Sequence, residues 1–121
     1  MARDHRKLRA FELADELALS VYQRTRVFPD DERYGLTSQI RRAAVSVAAN
    51  IVEGAGRDSE PDFVRFLHIA LASLREVGYY IDLARRLNYL GSTEADSLKK
   101  QYNETASVLH GLIKSFKRSP K

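Results

Sequence analysis

Apolar residues recur at every third or fourth position through most of the chain. That is the spacing of amphipathic helices, and no window shows the sustained alternation with β-branched enrichment that a strand needs. Four helices are predicted. The first runs from about Lys7 to Val27, with Phe11, Ala14, Leu17, Ala18, Val21, Tyr22 and Thr25 on one stripe and Glu12, Asp15, Glu16, Gln23 and Arg26 opposite. Pro29 ends it, because the residue before a proline is pushed out of the helical region. A polar connector, Pro29-Asp30-Asp31-Glu32-Arg33-Tyr34-Gly35, then leads to Thr37 or Ser38 as the cap of a second helix lasting to about Glu53, with Gly54-Ala55-Gly56 as a glycine break. Ser59 caps a third helix with Pro61 in its first turn and Glu60 and Asp62 at the positive end of its dipole; it lasts to about Tyr89. Gly91 ends that helix, and Ser92 or Thr93 caps a fourth that continues to about Phe116. Short connectors make sequential neighbours antiparallel. The expected fold is therefore all-α, an antiparallel up-down-up-down four-helix bundle, as one domain over residues 1–121 with short basic N- and C-terminal tails.

The second helix is too apolar for a surface helix. At 100° per residue, Ile40, Ala43, Ala44, Val47 and Ile51 share one face, and Val45, Ala48, Ala49 and Val52 lie nearly opposite. A bundle core covers one face only, so either a neighbouring subunit covers the other or this helix sits centrally, screened by the two long ones. Arg41, Arg42, Val45, Ala49, Asn50, Val52 and Glu53 are accordingly the candidates for an oligomer interface or a structural polar network. Glu53 and Arg57, four apart, pair if the helix persists through Gly54 and Gly56. As buried charges without partners are costly, Glu53→Ala or Arg42→Ala is expected to reduce stability or assembly.

Composition narrows the functional classes. The 121 residues suit one core, and the absence of cysteine removes disulfides, thiolate metal sites and cysteine nucleophiles. No apolar run is long enough to span a membrane, and the charged start does not resemble a signal peptide, so a cytoplasmic location and no membrane partner are expected. The net charge of +4 is unevenly spread. Residues 1–9 carry Arg3, Arg6, Lys7 and Arg9 against Asp4, and residues 110–121 carry Lys114, Lys117, Arg118 and Lys121 with no acid. The part between them has 12 basic and 15 acidic residues, hence −3. These basic ends, and an outer stripe of the third helix with Arg65, His68, Arg75, Tyr79 and Arg86, are the candidates for holding nucleic-acid phosphates. Asp82, four residues before Arg86, is positioned to neutralise it.

Catalytic and metal patterns are missing. Neither His68 nor His110 has an acid three residues before it, as a di-iron bundle requires, and Gly54-Ala55-Gly56 lacks a phosphate-loop lysine. No Ser, His and acid set is marked out, so no cofactor or metal is expected and the chain is read as a non-enzyme. Two functions remain: a nucleic-acid-binding oligomer, and a protein-binding scaffold with no nucleic-acid role.

The stretch from Phe28 to Gly54, FPDDERYGLTSQIRRAAVSVAANIVEG, resembles the signature of the 23S ribosomal RNA intervening-sequence protein family, also called four-helix bundle proteins. The likeness extends through Phe63 to Ala70 and Ser73-Leu74-Arg75-Glu76, with Val52 where the family commonly has Ala and Ala72 where it has Gly. The resemblance implies an antiparallel four-helix bundle that assembles into a ring-shaped homopentamer. A related group, the accessory variability proteins of diversity-generating retroelements, implies contact with nucleic acid and a protein partner through basic surface.

Overall fold

Four helices form where the apolar spacing places them. In the structure, a computed structural model that describes residues 2–116, they are α1 (Arg9–Arg24), α2 (Leu36–Ala55), α3 (Glu60–Arg86) and α4 (Ser92–Ser115). Among the described residues no strand forms; the connections contain only short 3-10 turns at His5–Lys7, Thr25–Val27 and Asp30–Glu32. One core cluster joins all four helices through Leu17 and Val21 of α1, Ile40, Val47 and Ile51 of α2, Phe63, Leu67, Leu74 and Ile81 of α3, and Leu98 and Leu109 of α4, each fully buried. Every such Val, Leu, Ile or Phe removed from water stabilises the fold by about 1.5–3 kcal/mol before ordering costs.

Contacts at both ends establish the alternating direction. Arg3 N–H donates to Ala55 O at 2.6 Å, so the start of the chain meets the end of α2, whereas Arg41 near the start of α2 bonds Thr25 beyond the end of α1. Phe63 at the start of α3 stacks edge-on against Phe116 after α4. Further along, Asp82 of α3 pairs with Lys99 of α4. Neighbours are therefore antiparallel, and each helix packs against two others in the order α1, α2, α3, α4 and back to α1.

α2 and α3 make the most extensive packing, and small residues are the reason. A Cβ on Gly54 would stand 2.8 Å from Phe66 Cβ and 3.2 Å from Phe63 O. This glycine is thus an interior, buried helix residue that lets α3 approach, not the break expected of it. Ser46 and Ser73 hydroxyls hydrogen-bond across the same seam at 2.8 Å, and Asn50 Nδ2 donates to Ser46 O and Oγ.

The ends of the helices differ from the sequence reading in instructive ways. Ser59 caps α3 as expected, accepting from Asp62 N. α2 begins earlier than its anticipated cap: Gly35 is the N-cap residue, and the Glu32 carboxylate, not Thr37 or Ser38, accepts from Leu36 N–H. A Cβ at 35 would lie 2.6 Å from Glu32 Oε1, so a side chain there would displace that carboxylate from Leu36 N–H. α4 likewise starts after Gly91, without a Ser92 or Thr93 side-chain cap. α3 stops at Arg86, before Gly91: Asn88 takes a left-handed φ of 64° while Tyr89 N and Asn88 N donate back to Ala84 O and Arg85 O, the Schellman closure of a helix.

Candidate functional site

The basic residues singled out from the sequence do not form one patch. The N-terminal segment is docked, and it is not a loose tail. Arg3 places its guanidinium 4.4 Å from the Phe63 ring centroid and 5.4 Å from that of Phe116. Arg6 donates to Asp4 twice from its guanidinium and once from its backbone N–H, which holds the Asp4 carboxyl below its ordinary range, and Arg9 pairs with Glu12 at 2.6 Å. Lys7 is exposed at this same end, to which the last turn of α4 brings exposed Lys114. Lys117, Arg118 and Lys121 lie outside the described residues.

On α3, Arg65 pairs with Asp62 and lies over Phe66, whose ring also carries Arg57 at 4.7 Å. Phe66 is accordingly half-buried under two guanidinium groups. Arg75 and Arg86 are exposed on later turns of α3, towards its middle and its opposite end. Asp82 does not neutralise Arg86; it binds Lys99 at 2.9 Å. Exposed ion pairs of this kind contribute about 0–1 kcal/mol, so they weaken phosphate contacts without forbidding them.

The residues proposed for the interface of α2 divide into three groups. Val45 and Val52 are 44% and 37% exposed and Ala49 is exposed between them, whereas Ala48 packs against the core, so the chain's own bundle covers the second apolar face only in part. Asn50 belongs instead to the seam with Ser46 and Ser73, and Glu53 pairs with Arg57 at 2.7 Å. Neither Glu53 nor Arg42 is a buried charge: the Glu53 side chain is 55% exposed and Arg42 is exposed. The expected loss of stability on removing them has no burial penalty behind it.

What the sequence reading missed is a cleft at the start of α2. Tyr22, Arg33, Tyr34, Thr37, Ser38, Arg41, Arg42 and Val45 surround an open volume of about 500 Å³, within the ~300–1,000 Å³ of ligand-sized clefts. An adjoining hollow of about 250 Å³ shares Arg33, Thr37 and Arg41 and adds Arg26 with one carboxylate, Asp30. Arg41 is held in place: its Nε donates to buried Thr25 Oγ1 at 2.8 Å, and its guanidinium lies 4.6 Å from the Tyr22 ring centroid. Arg26, Arg33 and Arg42 have no ion-pair partner among the described residues. The connector that carries Arg33 and Tyr34 is pinned, since Tyr89 O–H donates to Glu32 Oε2 at 2.8 Å. In the sequence the acidic run Asp30-Asp31-Glu32 makes this connector look acidic; its third carboxylate is spent on Leu36 and Tyr89 and faces neither cleft lining. The available signal was Arg33-Tyr34 followed, two helical turns on, by Arg41-Arg42.

Among the described residues no group of three or more His, Asp or Glu side chains could hold a metal ion, and no helix is long and apolar enough to cross a membrane.

A bundle of four antiparallel helices with one uncovered apolar helix face and an arginine-lined cleft defines an all-α helical-bundle protein, and two comparisons make the class specific. Residues 6–111 match the family described as 23S rRNA-intervening sequence protein. The chain belongs to that family. It is also similar to a crystal structure from Bacteroides thetaiotaomicron, described as a protein with unknown function from the S23 ribosomal protein family. The TM-score is 0.80 and the identity 25%, over 87% of this chain and 95% of that one. No curated protein matches.

Proposed function

We propose that the protein is a cytoplasmic, non-catalytic homo-oligomer, pentameric as the family resemblance implies, that holds nucleic acid by its phosphates. The observation that carries the phosphate contact is the cleft at the start of α2, where Arg33, Arg41 and Arg42 converge and none of them is in an ion pair among the described residues, although Asp30 and Glu76 line the neighbouring hollows. Phosphates held by Lys or Arg release counterions, so affinity falls as salt rises. A titration of the full chain against labelled oligonucleotides across ionic strength tests this. Binding at low salt that weakens with added salt is expected; no binding at low salt ends the proposal.

Assembly rests on the strip of Val45, Ala49 and Val52, an apolar helix face open to water. Packing it against another copy turns single weak phosphate contacts into several on one particle, and their avidity multiplies. A scaffold role without nucleic acid draws support from a separate hollow of about 330 Å³ where Val27, 75% exposed, meets Leu90 and Tyr89. Co-purification after nuclease digestion separates the two: a protein partner that survives digestion favours the scaffold.

A further inference from the structure

We infer that the cleft at the start of α2 takes one unstacked nucleotide of a single strand, its phosphate on Arg33 and Arg42 and its base on the ring of Tyr34. This rests on the nucleic-acid reading and adds to it a site, a strandedness and a base contact.

The two tyrosines of the cleft have different tasks. The Tyr22 ring is already covered by Arg41, and that guanidinium is fixed by Thr25 Oγ1 and Tyr22 O, so this pair is a rigid cationic wall. Tyr34 has no ring partner or hydrogen bond among the described residues and is 88% exposed, yet it stands on a connector anchored at Glu32 by Leu36 N–H and Tyr89 O–H. A ring bare to water on an anchored stretch of backbone is free to serve as a stacking platform. The base of a duplex is stacked on its own neighbours and has no free face to offer; only a single strand or an extruded base does.

Charge continues the same path. The smaller hollow shares Arg33 and Arg41 with the main cleft and extends it to Arg26, so a strand leaving Tyr34 passes further guanidinium groups against one carboxylate, Asp30. Ribose and deoxyribose strands present the same phosphate and base chemistry to these residues.

The full chain is titrated with short labelled single-stranded RNA, single-stranded DNA and duplex DNA, using the unchanged protein, Tyr34→Ala, Tyr34→Phe, the double variant Arg33→Ala with Arg42→Ala, and a control, Arg6→Ala with Lys7→Ala, at the opposite end. Tyr34→Ala is expected to weaken single-strand binding roughly 5- to 100-fold with an unchanged salt slope, and Tyr34→Phe to restore it. The double arginine variant lowers the salt slope by about 0.7, one phosphate on a single strand. Thermal melts of these exposed-residue variants matching the parent ensure that lost binding is not lost folding. Either strand binding through these residues supports the site, and a preference between them names the strand. The site is overturned if Tyr34→Ala leaves single-strand affinity unchanged, or weakens duplex binding equally. Binding that is lost only in the Arg6 and Lys7 control removes the cleft and leaves the nucleic-acid reading standing. No binding of any oligonucleotide removes both.

Discussion

At the level of single residues, Gly54 and Arg42 separate packing from function. Gly54 is buried in α2, and a methyl group there meets Phe66 Cβ at 2.8 Å and Phe63 O at 3.2 Å, atoms close to the α3 backbone that cannot swing aside. Alanine gains up to about 1 kcal/mol of helix propensity, but overpacking costs about 1–3 kcal/mol. Gly54→Ala therefore lowers the melting temperature by several degrees. Gly78→Ala costs less, because the clashing atoms are the far end of the half-buried Tyr102 ring. Equal melting temperatures for Gly54→Ala and the parent would show that α3 can retreat. Arg42→Ala is expected to stay within about 0.5 kcal/mol of the parent, as exposed residues without a special contact do, while weakening oligonucleotide binding. Core positions such as Leu17, Ile51 and Leu74 were legible because burial repeats with the helical period. The packing role of Gly54 was not, since a glycine near a helix end reads as a stop unless the neighbouring helix is seen.

At the level of elements, the start of α2 depends on the carboxylate of Glu32, four residues before Leu36 in the connector. Leu36 N–H and, next, Tyr89 O–H donate to Glu32, and together they hold its carboxyl below the usual range; the same contact raises the Tyr89 phenol. The sign follows from linkage. The unfolded carboxyl titrates at about 4.3, and the folded one lower, so the stabilisation is complete above the unfolded value and is lost as pH falls through the folded value. Urea midpoints measured from about pH 6 to about pH 3 should show a shallower acid decline in Glu32→Gln than in the parent. Parallel declines would mean that the contact adds no pH-dependent stability. Helix number and order could be read from the chain, since each of the four segments carries its own apolar stripe. The cap could not: Glu32 accepts from Leu36 N–H beside a glycine whose Cβ would crowd the carboxylate, and it is held by Tyr89, which folds back after α3. For the same reason the arginine cleft stayed hidden, its parts lying on α1, the connector and α2 and meeting only once the bundle closes.

At the level of the whole molecule, the proposed assembly strip and the proposed ligand cleft share a residue. Val45 begins the uncovered strip of α2 and also lines the arginine cleft, whereas Val52 lies seven residues on, about 10 Å further along the helix. A second copy packed on the strip would stand beside the cleft, and a strand held there would meet the boundary between copies. Linkage makes such coupling reciprocal: what binds the assembled form more tightly also favours assembly, by the same factor. Two measurements follow. Light scattering on a dilution series should place the dissociation midpoint of the oligomer at lower protein concentration when single-stranded oligonucleotide is present. Val52→Glu, outside the cleft, should reduce the particle to smaller species, and with it the apparent affinity, because the neighbouring copy and its arginines are gone. Its isolated protomer keeps the dependence on Tyr34. Val45→Glu places a carboxylate in the cleft itself and should lose that dependence as well. A midpoint that does not move with oligonucleotide would mean that the two sites act independently. A parent chain that stays monomeric at high concentration would leave the cleft without a neighbour and the α2 strip as ordinary exposed surface.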